Sequence, residues 1–223
     1  MTRPPAAQSP GADLRRLVAI VPVRALEGAK SRLGGSLDAE ERQDLVRMLL
    51  ERTIRAAAQV PEIESVVVVS PDPAILELAV QGGATPLQQV GEGLNEGLEQ
   101  AVSWAIAGGA SAVLVLAGDL PSVTGVSIGA IVASAAAAAS PARAIVVVVP
   151  DRHGRGTNAL LLSPPDAIAF AFGTDSAVAH EAAARAAGAL SLEVDGPLAL
   201  DLDLPEDLSL AEGRGLLDPA HGG

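Results

Sequence analysis

The chain contains no cysteine and no tyrosine, and only one tryptophan and two phenylalanines. Without cysteine there is no thiol nucleophile, no Cys–zinc site and no disulfide. Histidine is nearly as scarce. The three present, His153, His180 and His221, supply His-based metal sites and Ser–His–Asp triads poorly. No run reaches the ~20 apolar residues of a membrane span. The opening MTRPPAAQSPGADLRR lacks the apolar core of a signal peptide. These absences lead us to expect a cytoplasmic protein. Cations are also short: 15 Lys and Arg against 27 Asp and Glu leave a net charge of −12. Such a surface disfavours nucleic acid and anionic membranes as partners. A phosphorylated ligand would need gathered cations, backbone N–H groups or a divalent ion.

What is present is small and aliphatic. The 223 residues suffice for one domain with a real core, and the apolar residues are mostly Ala, Val and Leu. Residues 1–13 and 214–223, rich in Pro, Gly and polar groups, read as disordered tails around a single domain over 14–213. Within it, uninterrupted apolar runs at Leu17–Val23, Val66–Ser70, Val113–Ala117 and Ile145–Val149 have the character of strands buried on both faces. Helical patterns alternate with them. One starts at an Asp38/Glu41 capping box, and another follows Asp72 with Pro73 at its first position. Two more run from about Asn95 to Ala107 and from about Val123 to Ala139. This alternation predicts an α/β, Rossmann-like, mostly parallel sheet flanked by helices, with ligands at the carboxyl ends of its strands.

The loops after those strands carry the candidate chemistry. After the first comes Val23-Arg24-Ala25-Leu26-Glu27-Gly28-Ala29-Lys30-Ser31-Arg32-Leu33. Three cations here could neutralise a triphosphate, and Gly28 could let the backbone approach it. The upstream glycine of a Walker A loop is missing. Ala117-Gly118-Asp119-Leu120-Pro121 puts a carboxylate where it could hold Mg²⁺ against phosphates, or merely cap a turn. In Leu200-Asp201-Leu202-Asp203-Leu204-Pro205 the alternation turns Asp201 and Asp203 to one side, where a divalent ion would relieve their repulsion. Alternatively one of them caps the helix opening at Pro205. Gly91–Gly97, with Asn95, is a loop that could approach a base but does not match the dinucleotide fingerprint. Asp151–Asn158 and Phe172-Gly173-Thr174-Asp175-Ser176 read as anion-binding loops, the second at a helix N-terminus.

Taken in order, PVR-x₅-KSRL, GLN, GDLP, GTNALLL, FGTDS and DLDLPEDL resemble the CofC/FbiD family of coenzyme F420 biosynthesis, over residues 17–213. The resemblance implies a nucleotide-diphospho-sugar transferase fold and guanylyl transfer from GTP to phosphoenolpyruvate or 2-phospho-L-lactate. It also implies residue roles. Lys30 and Arg32, with Arg24, Gly28 and Asn95, would serve the nucleotide. Asp119, Asp201 and Asp203 would hold Mg²⁺, with Lys30, Arg32 and Asp119 catalytic. Gly173, Ser176 and Thr157 or Asn158 would hold the phosphorylated acid. Where relatives often carry Lys after the Pro-Val pair, this chain has Arg24. Bacterial character favours phosphoenolpyruvate as acceptor. Transfer to 3-phosphoglycerate, a sugar phosphate or molybdopterin is the alternative within enzymes, and a non-catalytic nucleotide-binding regulator is the alternative outside them. Which acid is used, which of Asp201 and Asp203 binds metal, and whether the chain forms a homodimer stay open.

Overall fold

The computed structural model describes residues 11–217 other than Ala29. Its centre is a seven-stranded sheet in the order β3-β2-β1-β4-β6-β5-β7. The strands are β1 (Leu17–Pro22), β2 (Ile63–Ser70), β3 (Thr85–Gln88), β4 (Ala112–Leu116), β5 (Ile145–Pro150), β6 (Thr157–Ser163) and β7 (Leu190–Glu193). The four apolar runs read from sequence are β1, β2, β4 and β5. In β1, Leu17, Ala19 and Val21 enter the core on one face and Val18 and Ile20 that on the other, which is why the run has no polar interruption.

Helices α1 (Ala39–Ala58), α2 (Pro73–Gln81) and α4 (Gly125–Ala138) cover one face, and α3 (Leu94–Ala107) and α5 (Ser176–Ala186) the other. The predicted start signals hold. Asp38 accepts from the Glu40 and Glu41 N–H groups while Glu41 answers the Asp38 N–H, and Asp72 caps α2 with Pro73 at its first position. The last helix, α6, spans Pro205–Gly213.

One strand departs from the parallel pattern. β6 runs antiparallel to both β4 and β5, with Leu116 opposite Ala159 and Pro150 opposite Thr157. Its beginning therefore lies at the edge of the sheet where β4 and β5 end. Thr157 and Asn158, read from sequence as part of a loop, are the first residues of this strand and are buried.

The folded unit also reaches past 14–213 on both sides. Ala12 N–H donates to the Ser140 carbonyl at 3.0 Å and Asp13 N–H to Ser163 Oγ at 2.8 Å. At the other end Leu217 is buried and the Leu216 carbonyl accepts from Arg52 at 2.8 Å. Residues 11–13 and 214–217 are thus not tails. The rest of the two expected tails, His221 included, lies outside the described residues.

Candidate active site

A third apolar cluster, apart from the two sheet faces, builds one wall of the site. It joins Leu33 and Leu37 to Leu45 and Leu49 of α1, to Leu200 and Leu202, and to Leu208 of α6. The Leu-Asp-Leu-Asp segment puts its leucines into this cluster, which turns Asp201 and Asp203 the other way. No strand forms there; the leucines alone impose the alternation. Because Leu33 anchors the basic loop in the same cluster, Lys30 is brought to the aspartates. Lys30 Nζ donates to Asp203 at 2.9 Å and also to Asp119, which stands just beyond the end of β4. Arg32 approaches Asp203 at 3.7 Å. Neither Asp201 nor Asp203 caps α6. That role belongs to Asp207, whose Oδ2 accepts from the Asp203 and Leu204 N–H groups at 3.1 and 2.8 Å. Arg152, from the β5–β6 loop, pairs with Asp207 at 2.6 Å and ties the two sides of the site together.

Asp119, Asp201 and Asp203 form a triad whose nearest ligand atoms all lie within 4.8 Å of one another. Three carboxylates so close repel, and one neighbouring ammonium balances only part of their charge. Burial, then Asp119 and Asp203, pushes the Asp201 carboxyl up to about 6. Burial also works against the charge on Asp203, but Lys30, with Arg32 and Arg24, outweighs it and holds that carboxyl below its ordinary value. Lys30 is the mirror case: burial opposes its charge, yet Asp119 and Asp203 prevail and raise it. The donor set is all hard oxygen, which fits Mg²⁺.

The triad opens on a cavity of about 1140 Å³. Arg24, Gly28, Lys30 and Arg32 line it on one side, and Thr157, Asn158, Gly173 and Ser176 on the other. Asn95 is absent from the lining. Its Nδ2 donates to the Phe172 carbonyl at 3.1 Å and its Oδ1 accepts from the Phe172 N–H at 3.0 Å, so it clamps the loop before α5. Asn158 is also engaged, its Nδ2 donating to the Leu198 and Ala199 carbonyls at 2.8 and 3.1 Å. Successive residues of a strand face opposite ways, and Thr157 accordingly faces α5. There the Ser176 hydroxyl donates to Thr157 Oγ1 at 3.0 Å. Gly173, at φ 137°, takes a conformation that side chains rarely adopt. The first amides of α5 are less free than a bare helix start: Ser176 N–H bonds the Gly173 carbonyl at 3.3 Å and Ala177 N–H the Arg155 carbonyl at 3.0 Å.

His180 carries no signal of a role in the sequence. It is fully buried on α5, with Nδ1 3.1 Å from Thr157 Oγ1, and Nε2 accepts the Ala171 N–H at 3.0 Å. Burial holds the ring well below its usual 6.5, at about 4. The folded state thus binds its proton less readily than the unfolded chain. The resulting stability is complete above the unfolded value and is lost as the pH falls from 6.5 towards 4. Between pH 7.5 and 4.5 this amounts to about 2–3 kcal/mol. Urea denaturation should show wild type losing more stability over that interval than His180→Gln, by about that amount; parallel losses would contradict the assignment.

The family described as guanylyl transferase CofC like matches residues 17–212. A phosphoenolpyruvate guanylyltransferase from Sphaerobacter thermophilus is 44% identical over 199 residues, covering 88% of this chain and 93% of the relative. One from Rubrobacter xylanophilus is 42% identical over 198 residues, covering 88% and 94%. Among solved structures, a protein from Desulfovibrio desulfuricans assigned to the nucleotide-diphospho-sugar transferases superposes with a TM-score of 0.70 at 17% identity, over 92% of this chain and 89% of the other. The 4-diphosphocytidyl-2C-methyl-D-erythritol synthase of Anaerococcus prevotii gives 0.59 at 13%, over 92% and 100%. At such identities the solved structures establish the fold alone, which is the one expected from sequence.

Proposed function

The chain belongs to the CofC-like guanylyltransferase family, and from that membership we propose that it transfers GMP from GTP to phosphoenolpyruvate, releasing pyrophosphate, in coenzyme F420 biosynthesis. The observation that carries this reading is one cavity with two chemically distinct sides. The loop after β1 brings Arg24, Lys30 and Arg32 to the carboxylate triad, while β6 and the start of α5 bring a buried hydroxyl pair, with the Arg155–Asp175 ion pair beside it. On this reading Arg24, Gly28, Lys30 and Arg32 serve the triphosphate. Asp119, Asp201 and Asp203 hold Mg²⁺, which when bound neutralises phosphate oxygens. Thr157, Gly173 and Ser176 hold the acid. Asn95 and Asn158 act one step back, fixing the 172 loop and the segment before Asp201.

The reaction needs little from the protein beyond placement. An acceptor phosphate oxygen attacks the α-phosphorus of GTP in line, a new P–O bond forms, and the bond to the pyrophosphate oxygen breaks. The acceptor is already an anion, so no general base is required. Among the described residues that line the cavity the one histidine, His153, is exposed, and the buried His180 is not among them. Lys30 and Arg32 balance charge on the departing pyrophosphate, and the two walls hold the reactants in line.

The decisive assay incubates the protein with GTP and Mg²⁺ and one acceptor at a time: phosphoenolpyruvate, 2-phospho-L-lactate, 3-phosphoglycerate or a sugar phosphate. Pyrophosphate release with phosphoenolpyruvate is expected. Release with the sugar phosphate alone, or none with any acceptor, refutes the proposal.

The division of the cavity has its own test. Replacing both hydroxyls, Thr157→Val with Ser176→Ala, removes the hydrogen bonds offered to the acid. One such bond to a charged group contributes about 1.5–3 kcal/mol, or roughly ten- to a hundredfold in affinity. The KM for the acid should rise by that factor while the KM for GTP holds. The reverse pattern assigns these loops to the nucleotide.

A further inference from the structure

The hydroxyl pair presents a donor to the cavity only if His180 is in one of its two neutral forms. His180 Nε2 accepts the Ala171 backbone N–H at 3.0 Å. A ring nitrogen that accepts carries no hydrogen, so the single proton of the neutral ring sits on Nδ1. Nδ1 therefore donates to Thr157 Oγ1, 3.1 Å away. Thr157 Oγ1 is joined in turn to Ser176 Oγ at 3.0 Å. Three hydrogens, one each on His180 Nδ1, the Thr157 hydroxyl and the Ser176 hydroxyl, then serve two contacts. Among the described residues no further acceptor meets either hydroxyl, and both residues line the cavity. One hydroxyl hydrogen is left over to face it. With the proton on Nε2 instead, Thr157 would donate to Nδ1 and Ser176 to Thr157, and both hydrogens would be consumed inside the protein.

We propose that His180 is a positioning residue for the acceptor. Locked as the Nδ1–H form by Ala171, it fills an acceptor site on Thr157 Oγ1 and so obliges the Thr157–Ser176 pair to offer one O–H to an anionic group of the phosphorylated acid. The ring is itself held in place. The Phe172 ring meets it edge-on, with centroids 4.8 Å apart, and the Phe172 backbone is fixed by Asn95. His180 needs no contact with the substrate and transfers no proton. The inference rests on the reading that this side of the cavity takes the acid.

The test combines a spectrum with a pair of variants. The chain has three histidines, so ¹⁵N-imidazole NMR of the whole protein at neutral pH resolves His180 and reports which nitrogen bears the proton. The Nδ1–H form is expected; the Nε2–H form or an imidazolium overturns the proposal without touching the reading beneath it. His180→Gln keeps an acceptor near the Ala171 N–H but removes the donor to Thr157. Its KM for phosphoenolpyruvate should rise about tenfold, with kcat and the KM for GTP within about twofold of wild type. His180→Asn can place its amide N–H where Nδ1–H stood, and should recover most of that loss despite breaking the Ala171 bond. Equal losses in the two variants, spread over both substrates, mark a packing role and overturn the proposal. An Nδ1–H spectrum with the KM change falling on GTP alone overturns it through the underlying division of the cavity. The NMR measurement needs no variant and stands even where a substitution fails to fold.

Discussion

Asp119→Asn is expected to reduce turnover at saturating GTP, phosphoenolpyruvate and Mg²⁺ by at least 10²–10³-fold, the range seen when one preorganised charge-stabilising group is lost, and to leave the fold intact. The residue stands three positions beyond the end of β4, a strand buried along its whole length. It contacts Lys30 and shares the cluster of ligand atoms with Asp201 and Asp203. The amide keeps the size but supplies no charge, so the remaining two carboxylates hold a divalent ion less tightly. Raising Mg²⁺ should recover part of the binding and little of the rate. The variant's thermal midpoint should stay within a few degrees of wild type, since the side chain is not in the core. Normal turnover with Mg²⁺ present would remove Asp119 from the machinery.

The features legible in the sequence were those set by short-range chemistry. The runs that became β1, β2, β4 and β5 were visible because burial on both faces leaves no room for polar residues. The Asp38 and Asp72 helix starts were visible because their hydrogen bonds close within three residues. The alternation in Leu200–Asp203 correctly put both aspartates on one side, although the reason is a local apolar cluster rather than a strand. Long-range pairing was not legible. Nothing local distinguishes β6 from a loop and a buried run, and its antiparallel insertion between β4 and β5 decides that Thr157 lies at the ligand edge. The short strands β3 and β7 also escaped, since neither is an unbroken apolar run. The resemblance assigns Asn95 to the nucleotide, and nothing local shows that its amide bonds the Phe172 backbone, 77 residues away. His180 gave the weakest signal. It sits among alanines in α5, and only the fold brings the Ala171 N–H and the Thr157 hydroxyl to its two nitrogens.

Lys30→Met tests charge and stability together, and its two effects should part company when Mg²⁺ is added. The Lys30 side chain is 11% exposed and bonds two of the three aspartates. Its backbone sits at φ 50°, a left-handed conformation that is uncommon and costly for a side-chain-bearing residue and that clusters at functional sites. Methionine keeps the stem and loses the ammonium. Without metal the triad is then left only Arg32 and Arg24 as nearby positive charge. Removing one partner of a fully buried ion pair costs about 3–5 kcal/mol. Here the Asp203 side chain is 48% exposed, so solvent screening reduces this to roughly 1–2 kcal/mol, a fall of about 2–8 °C in Tm. Mg²⁺ should restore most of that stability, because the ion takes over the neutralisation of the carboxylates. Turnover should not return. On the proposed reading Lys30 also meets charge that builds on the leaving pyrophosphate, an interaction stronger in the transition state than in bound GTP. The kcat should therefore stay down by about 10²–10³-fold with Mg²⁺ saturating, while the KM for GTP changes far less. A variant with wild-type kcat and only a raised KM would make Lys30 a uniform binder of GTP. One whose Tm ignores Mg²⁺ would separate Lys30 from the metal-binding carboxylates.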